Sequence, residues 1–82
     1  MEETIVKVDY FSRPGCSLCE EGLLTLKLLQ SDFQLEIEII NIEENEALHE
    51  KYMLMIPVVE KDGQILQYGN LDYVTLYEAL QA

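Results

Sequence analysis

The sequence has few basic residues. Its 5 Lys and Arg stand against 16 Asp and Glu, which gives a formal net charge of −11. Proteins that bind nucleic acid do so mainly by placing Lys and Arg against the phosphate backbone. The few basic residues here are scattered along the chain and form no patch, so we expect no nucleic-acid partner.

The sequence also lacks a long hydrophobic run and a basic leader. Its apolar stretches fall far short of the roughly 18 residues that a transmembrane helix needs. The chain opens with Met-Glu-Glu-Thr, whereas a secretory signal opens with basic residues followed by an apolar segment. We therefore expect no membrane association and a cytoplasmic location.

No internal repeat and no Pro-, Gly- or Ser-rich linker interrupts the 82 residues, of which 49% are hydrophobic. This composition excludes an intrinsically disordered chain, and the length suits one small domain. Residues 1–82 are therefore predicted to form a single domain, which we expect to be a monomer.

Cysteine is limited to Cys16 and Cys19. A disulfide across so short a loop removes little entropy from the unfolded chain, and in a reducing cytosol a closely spaced pair is more often catalytic or metal-binding than structural. His49 is the one histidine, and structural zinc takes four protein ligands. We therefore expect no closed metal site within one chain, and we interpret His49 as a solvated surface residue.

Apolar patterning predicts the first three elements. A strand over residues 4–11 is rich in β-branched and aromatic residues and stops at a cluster of turn formers. A helix from residue 17 to about residue 31 carries an inward stripe at helical spacing. A strand over residues 34–40 alternates, which places Leu35, Ile37 and Ile39 on one buried face. The helical stripe consists of Cys19, Gly22, Leu23, Leu26, Leu29 and Gln30.

The second half of the chain is predicted to contain a short helix, a hairpin and a last helix. Either Asn41 or Asn45 caps the short helix. An Asp62-Gly63 turn then joins two strands, since Asp-Gly is a strong hairpin signal. The last helix covers residues 71–80 behind an Asn70 or Asp72 cap. Its residues at helical spacing are Leu71, Val74, Tyr77 and Leu80.

The predicted order is therefore β-α-β-α-β-β-α. A strand, helix, strand unit of this length requires a parallel pair with a right-handed crossover, and the hairpin adds two antiparallel strands. The expected fold class is α/β, with a four-stranded mixed sheet flanked by three helices.

The cysteine pair is the feature that predicts chemistry. Cys16 and Cys19 form a C-x-x-C motif directly after the first strand, at the start of a helix. Unpaired backbone N–H groups and the helix dipole stabilise a thiolate at that position, and Arg13 adds a favourable charge. Cys16 is thus the candidate nucleophile, and Cys19, one turn later, is the candidate resolving thiol.

Four segments of the sequence stand out together: Phe11-Ser-Arg-Pro-Gly-Cys-Ser-Leu-Cys19, Met55-Ile-Pro-Val-Val59, Asp62-Gly63, and Gly69 with Leu71-Asp72. In these segments the chain resembles a glutaredoxin of the thioredoxin superfamily. The similarity covers essentially the whole chain. It implies the same β-α-β-α-β-β-α fold, catalysis by Cys16 and Cys19, and a cis peptide between Ile56 and Pro57 that faces the thiols.

The resemblance also suggests substrate-binding positions. The backbone of Ile56 would pair with a bound peptide or glutathione, beside Pro57. Two further positions do not come from the resemblance. Arg13 is a candidate for tuning the thiolate through its charge, and Tyr68, interpreted with Tyr73 and Tyr77 as a core or core-edge residue, is alternatively a groove wall because it adjoins Gly69. Gly69 matches the second residue of a family Gly-Gly pair that receives the glutathione carboxylate.

Two departures from the family bear on the substrate. Glutaredoxins commonly have Pro-Tyr between the cysteines, where this chain has Ser17-Leu18, and Tyr68-Gly69 replaces the Gly-Gly pair. We therefore expect a thiol-disulfide oxidoreductase that acts on a disulfide-containing protein or a small thiol, without a tightly bound cofactor. Glutathione remains a candidate reductant.

Other functions fit a C-x-x-C pair. Two chains could together supply four thiolates to an iron-sulfur cluster or another metal. Copper chaperones also carry C-x-x-C after a first strand, but they have two adjacent strands after the first helix and lack the Ile-Pro before a hairpin. A redox-regulated domain that binds a basic partner through its negative surface is a third alternative.

Overall fold

The computed structural model describes residues 5–81, so Thr4 of the predicted first strand lies outside the described residues. The elements follow the predicted order, with one added 3₁₀ turn, Ile42–Glu44, before the second helix. The strands are β1 (Val6–Ser12), β2 (Leu35–Asn41), β3 (Val58–Lys61) and β4 (Gln64–Tyr68). The helices are α1 (Ser17–Leu29), α2 (Glu46–Tyr52) and α3 (Tyr73–Gln81).

The strands form one mixed sheet in the order β2-β1-β3-β4. Strand β1 pairs in parallel with β2, from Val6 opposite Leu35 to Ser12 opposite Asn41. It pairs antiparallel with β3, and β3 pairs antiparallel with β4 through an irregularity at Val59/Glu60. The predicted mixed α/β sheet is confirmed.

Two cores lie on opposite faces of the sheet. Successive residues of a strand point to opposite faces, so Tyr10 belongs to one core and Phe11 to the other. The first core joins the sheet to α1 and α3. Its buried residues are Val8, Tyr10, Leu26, Leu29, Leu35, Val59, Leu76 and Leu80.

The second core is smaller and lies under α2 and the 3₁₀ turn. Phe11 and Val58 contribute from the sheet, Ile42 from the turn and Tyr52 from the helix. The Phe11 and Tyr52 rings lie 4.8 Å apart between centroids, in a tilted arrangement. Because Phe11 and Val58 occupy adjacent strands at the end where β1 finishes, this core supports the backbone next to the cysteine loop.

The predicted inward stripes are wrong at three residues, the first of which is Gln30, exposed at the C-cap of α1. Ile39, placed on the buried face of β2, is 57% exposed, because β2 is an edge strand and Ile39 lies near its end. Val74, placed on the inner stripe of α3, is 60% exposed. The buried stripe of α3 consists of Leu76 and Leu80, four residues apart on one helical face, and Val74 points away from it.

Three of the residues predicted as alternative helix caps do act as caps in the structure. Asn41 caps the 3₁₀ turn by accepting from Glu43 N–H, and Asn45 caps α2 by accepting from Leu48 N–H. At α3 the cap is Asp72, whose carboxylate accepts from both the hydroxyl and the N–H of Thr75. Both hydrogen bonds lower the pKa of Asp72 from its ordinary value, and the bond from the Thr75 hydroxyl has the larger effect.

The hairpin turn has the backbone conformation that its sequence predicts. Asp62 has a φ of 53° and Gly63 a φ of 80°, both in the left-handed region of a type I′ turn. A Cβ on Gly63 would have no neighbour within 4 Å. Glycine is therefore needed here for its backbone conformation and not because a side chain would lack room.

We therefore expect Gly63→Ala to lower the free energy of unfolding by about 1 kcal/mol, the cost of a left-handed conformation for alanine. Urea denaturation measures the change. Gly63→Asn is the matched variant, since asparagine tolerates this conformation, and it should lose less. An alanine variant as stable as the asparagine variant would contradict the assignment.

Candidate active site

Four chain segments meet at one end of the sheet, which we call the thiol end. Strands β1 and β2 finish there, because Ser12 lies opposite Asn41 in the parallel pair. Strand β3 begins there and β4 finishes there, since Val58 lies opposite both Phe11 and Tyr68. The thiol end therefore brings together the cysteine loop after β1 with the first turn of α1, the segment after β2, the segment before β3, and the end of β4 with the residues that follow it. Every predicted site residue lies in the first, third or fourth of these segments.

The cysteine pair lies at the start of α1. Cys16 is the N-cap residue, with an extended backbone, and Cys19 lies in the first turn. The two residues are joined by a disulfide, with their Cα atoms 5.2 Å apart. The C-x-x-C pair is thus seen in its oxidised form.

The two cysteines differ in environment. Cys16 is only half-buried, whereas Cys19 is 4% exposed. The N–H of Cys19 donates to Cys16 Sγ at 3.1 Å. In the reduced protein, a backbone donor in this position favours negative charge on Cys16 Sγ, in addition to the helix dipole.

Tyr10, on β1, contacts the first turn of α1 from the core. Its side chain is buried in the core, and its hydroxyl donates to the backbone carbonyl of Cys19. Burial raises the pKa of the Tyr10 hydroxyl above its ordinary value. Helix α1 also approaches Tyr10 closely at Gly22, where an added Cβ would lie 2.5 Å from the hydroxyl oxygen and 2.8 Å from Leu71 Cδ1.

We expect Tyr10→Phe to lower the free energy of unfolding by about 1 kcal/mol, because it removes one buried hydrogen bond. The pKa of Tyr10 is higher in the folded than in the unfolded chain, so the folded chain holds the proton more tightly. Its contribution is present in full below the unfolded value of about 10 and is lost as the pH rises further.

Urea unfolding at pH 8 and at pH 11 measures this contribution. The loss of stability between the two pH values should be smaller in Tyr10→Phe than in the wild type. Tyr68→Phe, which changes an exposed ring, serves as the control and should keep the wild-type loss. An equal loss in all three proteins would refute the role assigned to burial of Tyr10.

The segment before β3 contains a cis peptide bond between Ile56 and Pro57, as the resemblance implied. Pro57 is fully buried and Ile56 is half-buried. The N–H of Gly69 is within hydrogen-bond distance of two carbonyls of this segment, those of Met55 at 3.0 Å and Pro57 at 2.8 Å. Gly69 has a φ of 74°, which suits glycine at this position.

The remaining predicted site residues lie on the surface of the thiol end. Arg13 is exposed in the cysteine loop, and Tyr68, the last residue of β4, is 55% exposed. Leu54, two residues before Ile56, is 91% exposed, and no pattern in the sequence indicates that exposure. Tyr10 and Gly22 were also missed as supports of the cysteine pair, because nothing in the alternation of β1 or the stripe of α1 identifies a contact between them.

His49 lies on α2, a different helix from the one that begins at the cysteine pair. It is half-buried and lines a surface groove of about 440 Å³ with Glu43, Glu46 and Glu50. Within residues 5–81, no group of three or more His, Cys, Asp or Glu residues is placed to hold a metal ion. None of the helices in the same range is long and apolar enough to span a membrane.

Comparison with protein families identifies the fold family. The chain matches the Glutaredoxin-like domain (DUF836) model over residues 7–81. This chain belongs to the glutaredoxin-like family. The resemblance predicted from its motifs is thereby confirmed, and the family together with the C-x-x-C pair supports a redox-type function. A search of the curated proteins finds no match.

Solved structures agree with the family assignment. The NMR structure of protein Ne2328 from Nitrosomonas europaea is 31% identical, with a TM-score of 0.81 over 96% of this chain and 98% of that one. A mutant thioredoxin from Halobacterium salinarum is 22% identical, with a TM-score of 0.66 over 93% and 72% of the two chains. Mitochondrial thioredoxin 3 from Saccharomyces cerevisiae is 20% identical, with a TM-score of 0.59 over 92% and 76%. At these last two identities the likeness concerns the fold alone, which is the thioredoxin fold.

Proposed function

We propose that this glutaredoxin-like chain is a dithiol-disulfide oxidoreductase, with Cys16 as the nucleophile and Cys19 as the resolving thiol. The observation that supports it most strongly is the difference between the two sulfurs. Cys16 caps α1, receives the N–H of Cys19 on its Sγ and is half-buried, whereas Cys19 is buried beneath it. A substrate sulfur can therefore approach Cys16 more readily than Cys19.

The reaction transfers two electrons from the dithiol to a substrate disulfide. The Cys16 thiolate attacks one substrate sulfur, the substrate S–S bond breaks, and the departing thiolate takes up a proton. Cys19 then loses its proton and attacks Cys16 Sγ. This step releases the second substrate thiol and forms the Cys16–Cys19 disulfide that the structure contains.

Two electrons from an external reductant, supplied by two molecules of a monothiol or by one dithiol, must return the protein to its dithiol form. The proposed reductants are a small thiol, with glutathione as the candidate, or a dithiol reductase. The substrate side is proposed to be a disulfide-containing protein or a small mixed disulfide. Ile56, Pro57 and Gly69 lie at the thiol end with the cysteines. The N–H of Ile56 donates to the Tyr52 carbonyl and that of Gly69 to the Met55 and Pro57 carbonyls, so the Ile56 carbonyl is the backbone group proposed to pair with a substrate.

The test is turnover of bis(2-hydroxyethyl) disulfide, a small neutral substrate, in two parallel assays. One supplies glutathione with glutathione reductase, and the other supplies thioredoxin reductase, each with NADPH oxidation as the readout. We expect protein-dependent turnover in one of them and none with Cys16→Ser. Absence of turnover in both, with the dithiol form verified by mass spectrometry, would overturn the proposed function.

A further inference from the structure

The segments that meet at the thiol end carry four apolar residues that are exposed or half-buried. We call its members, Leu18, Leu54, Ile56 and Tyr68, the apolar rim. Leu54 is 91% exposed and Tyr68 is 55% exposed, while the other two are half-buried. Tyr68 adjoins Gly69, whose N–H is held by the carbonyls of Met55 and Pro57, and this contact fixes the end of β4 against the segment that carries Leu54 and Ile56.

The charges in the segments that meet at the thiol end are almost all negative. In the described segments that leave the thiol end, residues 13–20, 42–46, 53–57 and 69–72, Arg13 is the one cationic side chain. The carboxylates in the same segments are Glu20, Glu43, Glu44, Glu46 and Asp72, all of them exposed. Of the four other cations, Lys7 and Lys61 are in ion pairs remote from this end, with Glu38 and Asp62. Lys51, on α2 close to Leu54 in the sequence, lies over the Tyr52 ring at 5.0 Å from its centroid.

We propose that the apolar rim docks a cationic segment of a protein substrate, one in which lysine or arginine residues flank the disulfide to be reduced. This inference rests on the proposed function, because docking serves the reaction of Cys16. A polypeptide occupant is favoured over a small thiol since the rim spans three separate segments of the chain. A cationic occupant is favoured because carboxylates along an apolar surface attract opposite charge and repel like charge.

The experiment compares two synthetic peptides of one length, each with a single cysteine held as a mixed disulfide with 2-mercaptoethanol. Lysines flank the cysteine in one peptide and glutamates in the other. The second-order rate constant with the reduced protein is divided by that with dithiothreitol, which corrects for the intrinsic reactivity of each peptide. We expect the corrected rate to favour the lysine peptide by about tenfold or more at low salt. In 1 M salt, where the screening length is about 3 Å, the preference should largely disappear.

Matched variants separate the two parts of the surface. The double variant Glu43→Gln/Glu44→Gln should lower the preference several-fold. Glu36→Gln/Asp62→Asn removes the same charge from the opposite end of the sheet and should keep the preference at its wild-type value.

Leu54→Ala tests the apolar contact. It should slow the reaction of both peptides about tenfold relative to that of bis(2-hydroxyethyl) disulfide, because it truncates the most exposed residue of the apolar rim.

A corrected preference of about one, or a preference for the glutamate peptide, would overturn the docking proposal while leaving the proposed function in place. An equal effect of the two double variants would overturn it as well. No reduction of bis(2-hydroxyethyl) disulfide by the wild type would instead overturn the proposed function, and the docking proposal with it.

Discussion

We expect Cys16→Ser to abolish disulfide exchange and Cys19→Ser to accumulate a mixed disulfide with the substrate. Cys16 caps α1 and is the more accessible sulfur, whereas Cys19 is buried and can act only on a disulfide already formed at Cys16. Without Cys19 the first attack proceeds, but the second substrate sulfur is not released. Mass spectrometry of each variant after incubation with a small disulfide measures the adduct directly.

Alkylation of the reduced wild type provides an independent measurement of the same difference. Iodoacetamide near pH 6 should modify Cys16 well before Cys19, because thiolate is the reacting form. The neutral reagent is not repelled by the acidic surface. Equal labelling of the two thiols, or faster labelling of Cys19, would contradict the assignment of Cys16 as the nucleophile.

The second large effect is expected at Gly22. Alanine has a higher intrinsic helix propensity than glycine by about 1 kcal/mol, so propensity alone predicts that Gly22→Ala stabilises the protein. The structure predicts the opposite sign. The added Cβ would lie 2.5 Å from the Tyr10 hydroxyl oxygen, which is fixed in the core by its bond to the Cys19 carbonyl. We expect a net loss of about 2 kcal/mol in the free energy of unfolding, within the usual cost of overpacking.

A double-mutant cycle tests the cause of that loss. In the Tyr10→Phe background the closest atom is absent, and the remaining close contact is with the end of the Leu71 side chain, which can move. Gly22→Ala should therefore cost at least about 1 kcal/mol less there than in the wild type, a coupling typical of residues in contact. Additive effects of the two substitutions, or a more stable Gly22→Ala single variant, would contradict the described packing.

The order of the elements could be predicted because each has a local signal. The alternation of Leu35 with Glu36, the Asp62-Gly63 turn and the run of apolar residues through α1 depend on nearest neighbours along the chain. The predictions for Ile39 and Val74 were wrong for a different reason. Whether an apolar residue is covered depends on which elements pack beside it, and that is set by the order of strands and the rotation of α3.

In the candidate site, too, the features that lie within one segment could be predicted and the contacts between elements could not. Cys16 and Cys19 were recognisable because their spacing and their position after a strand identify them locally. The bond from Tyr10 to the Cys19 carbonyl and the close approach at Gly22 join residues from different elements, so no pattern within one segment indicates them. The exposure of Leu54 was equally hidden, since an apolar residue before a proline is as compatible with a core position as with a surface one.

Cys16 and Cys19 are proposed to form a reversible redox couple, which a redox titration measures directly. The protein is equilibrated in glutathione–glutathione disulfide buffers of graded potential, the free thiols are blocked, and the fraction of intramolecular disulfide is measured by mass spectrometry. We predict a single two-electron transition with a midpoint of roughly −180 to −270 mV, the span of related thiol-disulfide proteins. A protein that forms no intramolecular disulfide across the titration, or that forms only disulfides between chains, would contradict it.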